Sequence, residues 1–134
     1  MLSRSLGLAN RHCRQTWKLP EFSGAAATET YLLNFNEIFD LQNSSELTCI
    51  PSKGPVSPEY FSRMQELCDY IKNLTDKSGK PIISGARKTG FLGLMMNLQS
   101  FIGIHHTYVE EGQLDYLLAR KCSQDHLEHF LGRV

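Results

Sequence analysis

The chain has 134 residues, the size of one ordinary domain, and 41% of them are hydrophobic, enough to bury a core. Lys plus Arg and Asp plus Glu each number 14, so the formal net charge is zero and no global field draws the chain to nucleic acid or to an acidic membrane. Four widely spaced cysteines without a CxxC pair, five histidines off any zinc-finger spacing and the lack of a long apolar run favour a soluble chain with reduced thiols over a disulfide scaffold, a zinc finger or a membrane span.

Leu2, Leu6, Ala9, Cys13 and Trp17 recur at helical spacing and predict a docked amphipathic first helix. The same stretch carries Arg4, Arg11, Arg14 and Lys18 with no acid before Glu21, a pattern shared with mitochondrial transit peptides. The folded helix is favoured, because Arg-rich helix faces are common. Pro20, Ser23 and Gly24 mark a loop, after which Thr28 is expected to cap a helix running to about Asp40, with Leu32, Phe35, Ile38 and Phe39 as its core face. Gln42 to Pro58 is rich in Asn, Ser and Pro and reads as an irregular connection.

Ser57, Pro58 and Glu59 then open an amphipathic helix through Phe61, Met64, Leu67, Cys68, Ile71 and Leu74, which stops near Ser78, Gly79 and Pro81. Lys80 to Ser84 is compatible with a short strand but too short to decide. Thr89 is expected to cap a largely apolar helix through about Ile104, in which Gly93 marks close packing. Gln113 to Lys121 fits helix or strand, and Ser123 is expected to cap a last helix carrying Asp125, Glu128 and Phe130. The fold class is therefore mainly α.

Two acidic constellations invite chemistry. Asn36 and Asp40 lie one helical turn apart on one face, and together suit guanine, since a carboxylate accepts both N–H groups of its Watson–Crick edge and an amide donates to its carbonyl oxygen. On spacing alone a solvated face is favoured. Asp125 and Glu128 are three apart, a geometry able to hold one corner of a magnesium site, although plain helix-start acids are the simpler reading. His126 and His129 have no zinc partners, Met95 and Met96 read as core filling, and the pairs Arg87–Lys88 and Arg120–Lys121 read as solvated charge. Gly79–Lys80 and Gly85–Gly90 fail the phosphate-loop pattern, and no nucleophile elbow or zincin helix occurs.

Three ordered phrases carry the reading further. NFNEIFDLQNS (34–44) resembles the Phe-Asp-x-x-Asn-Ser signature of the GTP-binding insertion domain of P-element and THAP-type DNA transposases, and ARKTGFLGLMMNLQSF (86–101) resembles the block that follows it. YLLARKCSQDHLEHFLGRV (116–134) is similar to the segment in which that family re-enters its RNase H-like catalytic domain. The resemblance implies a helical piece of the insertion domain over residues 1–85, followed by closing helices of the RNase H-like domain over 86–134. It places the guanine nucleotide at Asn36 and Asp40, with Asp125 near the nucleotide and its metal, and aligns Glu128 with the third acid of a catalytic triad that binds Mg2+.

By the same resemblance the full-length proteins bind GTP and transposon-end DNA, act as oligomers in the nucleus and carry out GTP-dependent cut-and-paste transposition. The first two aspartates of the triad and the zinc-binding DNA-recognition domain have no counterpart here, so the chain is expected not to catalyse alone. FLGRV stands where the family has FFGxIRS, with His129 and Leu131 replacing apolar and aromatic residues. A domesticated helical interaction module without catalysis is the alternative, and a small mitochondrial protein a further one.

Overall fold

The computed structural model describes residues 3–48 and 53–123. Its main elements are four helices, α1 Arg4–Gln15, α2 Ala26–Gln42, α3 Phe61–Asn73 and α4 Lys88–Ile104, joined by short 3-10 turns, and among the described residues there is no strand. The mainly helical fold follows from the 3.6-residue periodicity of the apolar positions. The chain divides into two compact units, Met1–Asp40 and Leu41–Val134, and their border falls within α2.

In the first unit, Ser3 caps α1 by accepting the Leu6 N–H, and Lys18 takes a left-handed φ of 51° just beyond the helix end. The expected apolar stripe does not dock. Leu6 is 46% exposed and Trp17 63% exposed, whereas Gly7 is buried and α1 packs through it onto α2. A Cβ at Gly7 would stand 2.8 Å from Leu33 Cδ2 and 2.9 Å from Leu33 Cγ, so the missing side chain is what lets the two helices approach. Glu29 reinforces that contact, taking Arg11 Nε on one oxygen at 2.6 Å and Arg14 Nη2 on the other at 2.8 Å.

Helix α2 begins at Ala26, not at Thr28, because the run of alanines before Thr28 is already a strong helix former and Ala25 C=O accepts the Glu29 N–H at 2.8 Å. Leu32, Phe35 and Ile38 are buried as predicted, while Phe39 is 42% exposed and leaves the predicted core face.

The second unit is built on α3 packed against α4 and contains the clearest core. Met64, Leu67, Cys68 and Ile71 of α3 and Leu98 of α4 are almost fully buried, with Met95 and Phe101 close behind. Burial raises the Cys68 thiol above its ordinary range, which keeps it protonated and inert. Leu98 is fully buried, Phe91, Leu92 and Leu94 are half-buried, and Met96, read from the sequence as core filling, is instead exposed.

Two local expectations in this unit are corrected, and one undecided stretch takes a definite form. Thr89 lies inside α4, which the chain enters through a turn closed by Lys88 N–H on Gly85 C=O, so no hydroxyl cap is used. Among the described residues nothing lies within 4 Å of a Cβ placed on Gly93, so this glycine marks no close packing there. The Lys80 to Ser84 stretch makes one isolated bridge, Thr75 with Pro81, then a 3-10 turn at Ile82–Ser84. Asp76 sets that geometry, because its Oδ1 accepts from the Ser78 and Lys80 N–H groups and Gly79 takes a φ of +80°, reversing the chain before a ladder can extend.

Gln113 to Lys121 is neither long helix nor strand. It is irregular up to a 3-10 turn at Ala119–Cys122, with Leu117 C=O accepting the Val56 N–H.

Candidate functional site

Asn36 and Asp40 are brought together by α2 as their spacing predicts. Asn36 Nδ2 donates to Asp40 Oδ2 at 2.8 Å, and both residues are half-buried. The amide is oriented from its other end, where Oδ1 accepts the backbone N–H of Arg4 at 2.9 Å. Arg4 is the first residue of α1, and its N–H has no acceptor within that helix, so Asn36 satisfies a donor that helix geometry leaves free. A carbonyl oxygen fixed on Arg4 turns the NH2 group toward Asp40. The result is an amide donor beside a carboxylate acceptor, the pair of functions that the guanine edge complements.

The Glu29 ion pairs lie in the same unit. The arginine bonds hold the Glu29 carboxyl below its ordinary value of 4.5, Arg14 contributing most and Arg11 next. Sequence reading missed this residue, because its partners are 15 and 18 positions away and no local pattern reports so distant a pairing. The one available signal was that Arg11 and Arg14 share a helix face.

In the second unit, a π-helical turn at His105–Val109 follows α4. His106 Nδ1 lies 2.8 Å from Glu110 Oε1, and the buried His105 has its Nδ1 3.6 Å from the same oxygen with no hydrogen-bond partner. The His106 hydrogen bond is the main cause of a lowered Glu110 carboxyl. Phe61 lies against both imidazole rings. The pairs Arg87–Lys88 and Arg120–Lys121 are exposed.

Asp125 and Glu128, together with His126, His129 and the expected Ser123-capped helix, fall outside the described residues apart from Ser123 itself. Among the described residues no three His, Cys, Asp or Glu side chains are grouped to hold a metal ion, and no helix is long and apolar enough to cross a membrane.

Residues 1–55, which include Asn36 and Asp40, match the GTP-binding insertion domain of TNP-like proteins. The chain is 36% identical over 119 residues to the DNA transposase THAP9 of Homo sapiens, an alignment covering 84% of this chain and 13% of that protein. Its fold matches a chain of the Drosophila P element transposase strand transfer complex with a TM-score of 0.68 and 23% identity, covering 98% of this chain and 29% of that one. It thus spans a small part of both, and a GTP-binding insertion domain is a property of the group to which it is similar. The chain belongs to the P-element and THAP-type DNA transposase family.

Proposed function

We propose that the chain is the part of a P-element-like transposase that reads the guanine base of GTP, with Asp40 accepting from the base and Asn36 donating to its carbonyl oxygen. One observation carries this reading: the Asn36–Asp40 hydrogen bond, with the amide oriented by Arg4. The two side chains are already held side by side before a base arrives, which lowers the ordering cost of binding. The insertion-domain part extends to about residue 85 in this proposal, and residues 86–134 belong to the RNase H-like part.

Within a full-length protein, GTP binding serves cut-and-paste joining of transposon-end DNA by an oligomer in the nucleus, and Glu128 supplies one catalytic acid with Asp125 close to the nucleotide and its metal. Mg2+ would bring charge neutralisation of the DNA phosphates in such a site. Alone, the chain binds nucleotide and does not cut DNA.

The test is titration calorimetry of the chain with GTP and with ATP. GTP should bind about tenfold or more tightly than ATP, and Asp40→Ala should abolish that preference, since charge-assisted hydrogen bonds to a buried polar edge set the discrimination. Equal affinity of the unchanged chain for both nucleotides would sink the guanine reading. A second reading, a helical module that docks a protein partner, draws on the exposed Leu6, Leu8 and Trp17 of the first unit. It predicts no nucleotide preference.

A further inference from the structure

Helix α2 does not stop at the guanine pair. It runs on from Asp40 to Gln42, and the residues that follow make long-range bonds within the second unit. Gln42 Nε2 donates to Leu94 C=O at 3.2 Å, and its Oε1 accepts from Asn97 Nδ2 at 3.3 Å. Ser44 is buried, with 2% exposure. Its Oγ accepts the Ala119 N–H at 3.0 Å, and its backbone C=O accepts the Arg120 N–H at 3.1 Å.

Ala119 and Arg120 open the 3-10 turn Ala119–Cys122, so their N–H groups precede any acceptor inside that turn. Ala119 is also buried, and water cannot replace the missing acceptor. Ser44 therefore caps this turn from a distance, using its side chain for one donor and its backbone for the next. The Leu118 N-cap makes no side-chain hydrogen bond of its own.

We infer that Ser44 is a positioning residue that couples guanine nucleotide bound at Asp40 to the Ala119–Cys122 turn. The inference rests on the guanine reading proposed above. Its physical basis is the end of α2. The last carbonyls of a helix have no acceptor role within it, so the final turn frays most readily. A base held by Asp40 binds only while that turn is formed, so it shifts the population toward the formed state. In that state Gln42 and Ser44 stay in register with their partners. When the turn frays, Ser44 loses its place and the two amides lose their acceptors. The chain leads from this turn directly into the segment bearing Asp125 and Glu128. The nucleotide thereby sets the order of the turn from which that segment continues.

The test is amide hydrogen exchange of the whole chain, read by mass spectrometry on peptides spanning residues 117–123, with GTP, with ATP and with neither. In the unchanged chain GTP should slow exchange at Ala119 and Arg120 by about tenfold relative to ATP, within the usual range of coupling between sites. Ser44→Ala should still bind GTP, still show GTP-dependent protection around Asn36, and lose the GTP-dependent difference at 117–123. A purely structural serine would instead raise exchange at 117–123 by the same factor with and without GTP. That pattern overturns the inference, as does GTP binding to the unchanged chain with no change at 117–123, a result that does not require any variant to fold. Ser45→Ala, at an exposed neighbour, should leave the GTP response intact. Failure of the unchanged chain to bind GTP overturns the guanine reading and the coupling together, whereas binding without protection overturns the coupling alone.

Discussion

The two units are held by different forces. In Met1–Asp40 the contact between α1 and α2 is a glycine-sized gap locked by polar groups: Gly7 on Leu33, Arg11 and Arg14 on Glu29, and Arg4 on Asn36, while Leu6 and Trp17 stay largely in solvent. In Leu41–Val134 the contact between α3 and α4 is apolar, with Met64, Leu67, Ile71 and Leu98 out of reach of water. A polar joint holds orientation and responds to pH and salt, whereas an apolar core is insensitive to both and responds to volume. The Asn36–Asp40 pair lies on the polar joint, where orientation matters, whereas Gln42 and Ser44 make their bonds within the second unit.

Truncating the core should produce the largest effect. Leu98→Ala removes a fully buried side chain and is expected to cost about 2–5 kcal/mol in denaturant unfolding. A loss well under 1 kcal/mol would mean that the α3–α4 contact is not the stabilising centre.

Glu29→Gln should produce a smaller loss at neutral pH, with a distinctive pH dependence. Because the arginines lower the folded carboxyl value, the contribution of Glu29 is complete above its ordinary value of 4.5 and disappears as pH falls through the lowered folded value. The stability difference between the unchanged chain and the variant should therefore vanish in acid, and shrink in high salt at neutral pH. A difference that persists unchanged down to the acid transition would show that Glu29 acts through packing.

The smallest effect compares two glycines. In an open helix interior Gly→Ala gains about 1 kcal/mol, and Gly93→Ala should show that gain because nothing crowds its Cβ position. Gly7→Ala should show none of it, since the new methyl meets Leu33. Equal thermal shifts for both variants would contradict the difference between the two helix contacts.

What sequence reading recovered divides along physical lines. Among the described residues periodicity located the four main helices, and the four-residue spacing of Asn36 and Asp40 put their side chains in contact, because both properties are local to one helix. Arg4 as the partner of Asn36, Glu29 between two arginines, and Ser44 beneath the Ala119 turn were not legible, since each joins residues far apart in the chain. The helix starts at Ala26 and Lys88 were missed for another reason: hydroxyl caps at Thr28 and Thr89 were expected, but an alanine run and a preceding turn set the boundaries. Gly93 and Gly7 show the same limit, because a glycine's sequence neighbours do not tell what approaches it from another helix.

The central claim, that Asp40 reads guanine, is tested most directly by changing the base and the residue together. Asp40→Asn replaces two acceptor oxygens by one acceptor and one donor, which suits xanthine, whose position 2 carries a carbonyl in place of guanine's amino group. Titration of both proteins with GTP and xanthosine triphosphate should show the unchanged chain preferring GTP and the variant preferring xanthosine triphosphate, each by about tenfold or more. A variant that keeps the GTP preference of the unchanged chain would place the base elsewhere and leave Asn36 and Asp40 as a structural bridge between α1 and α2.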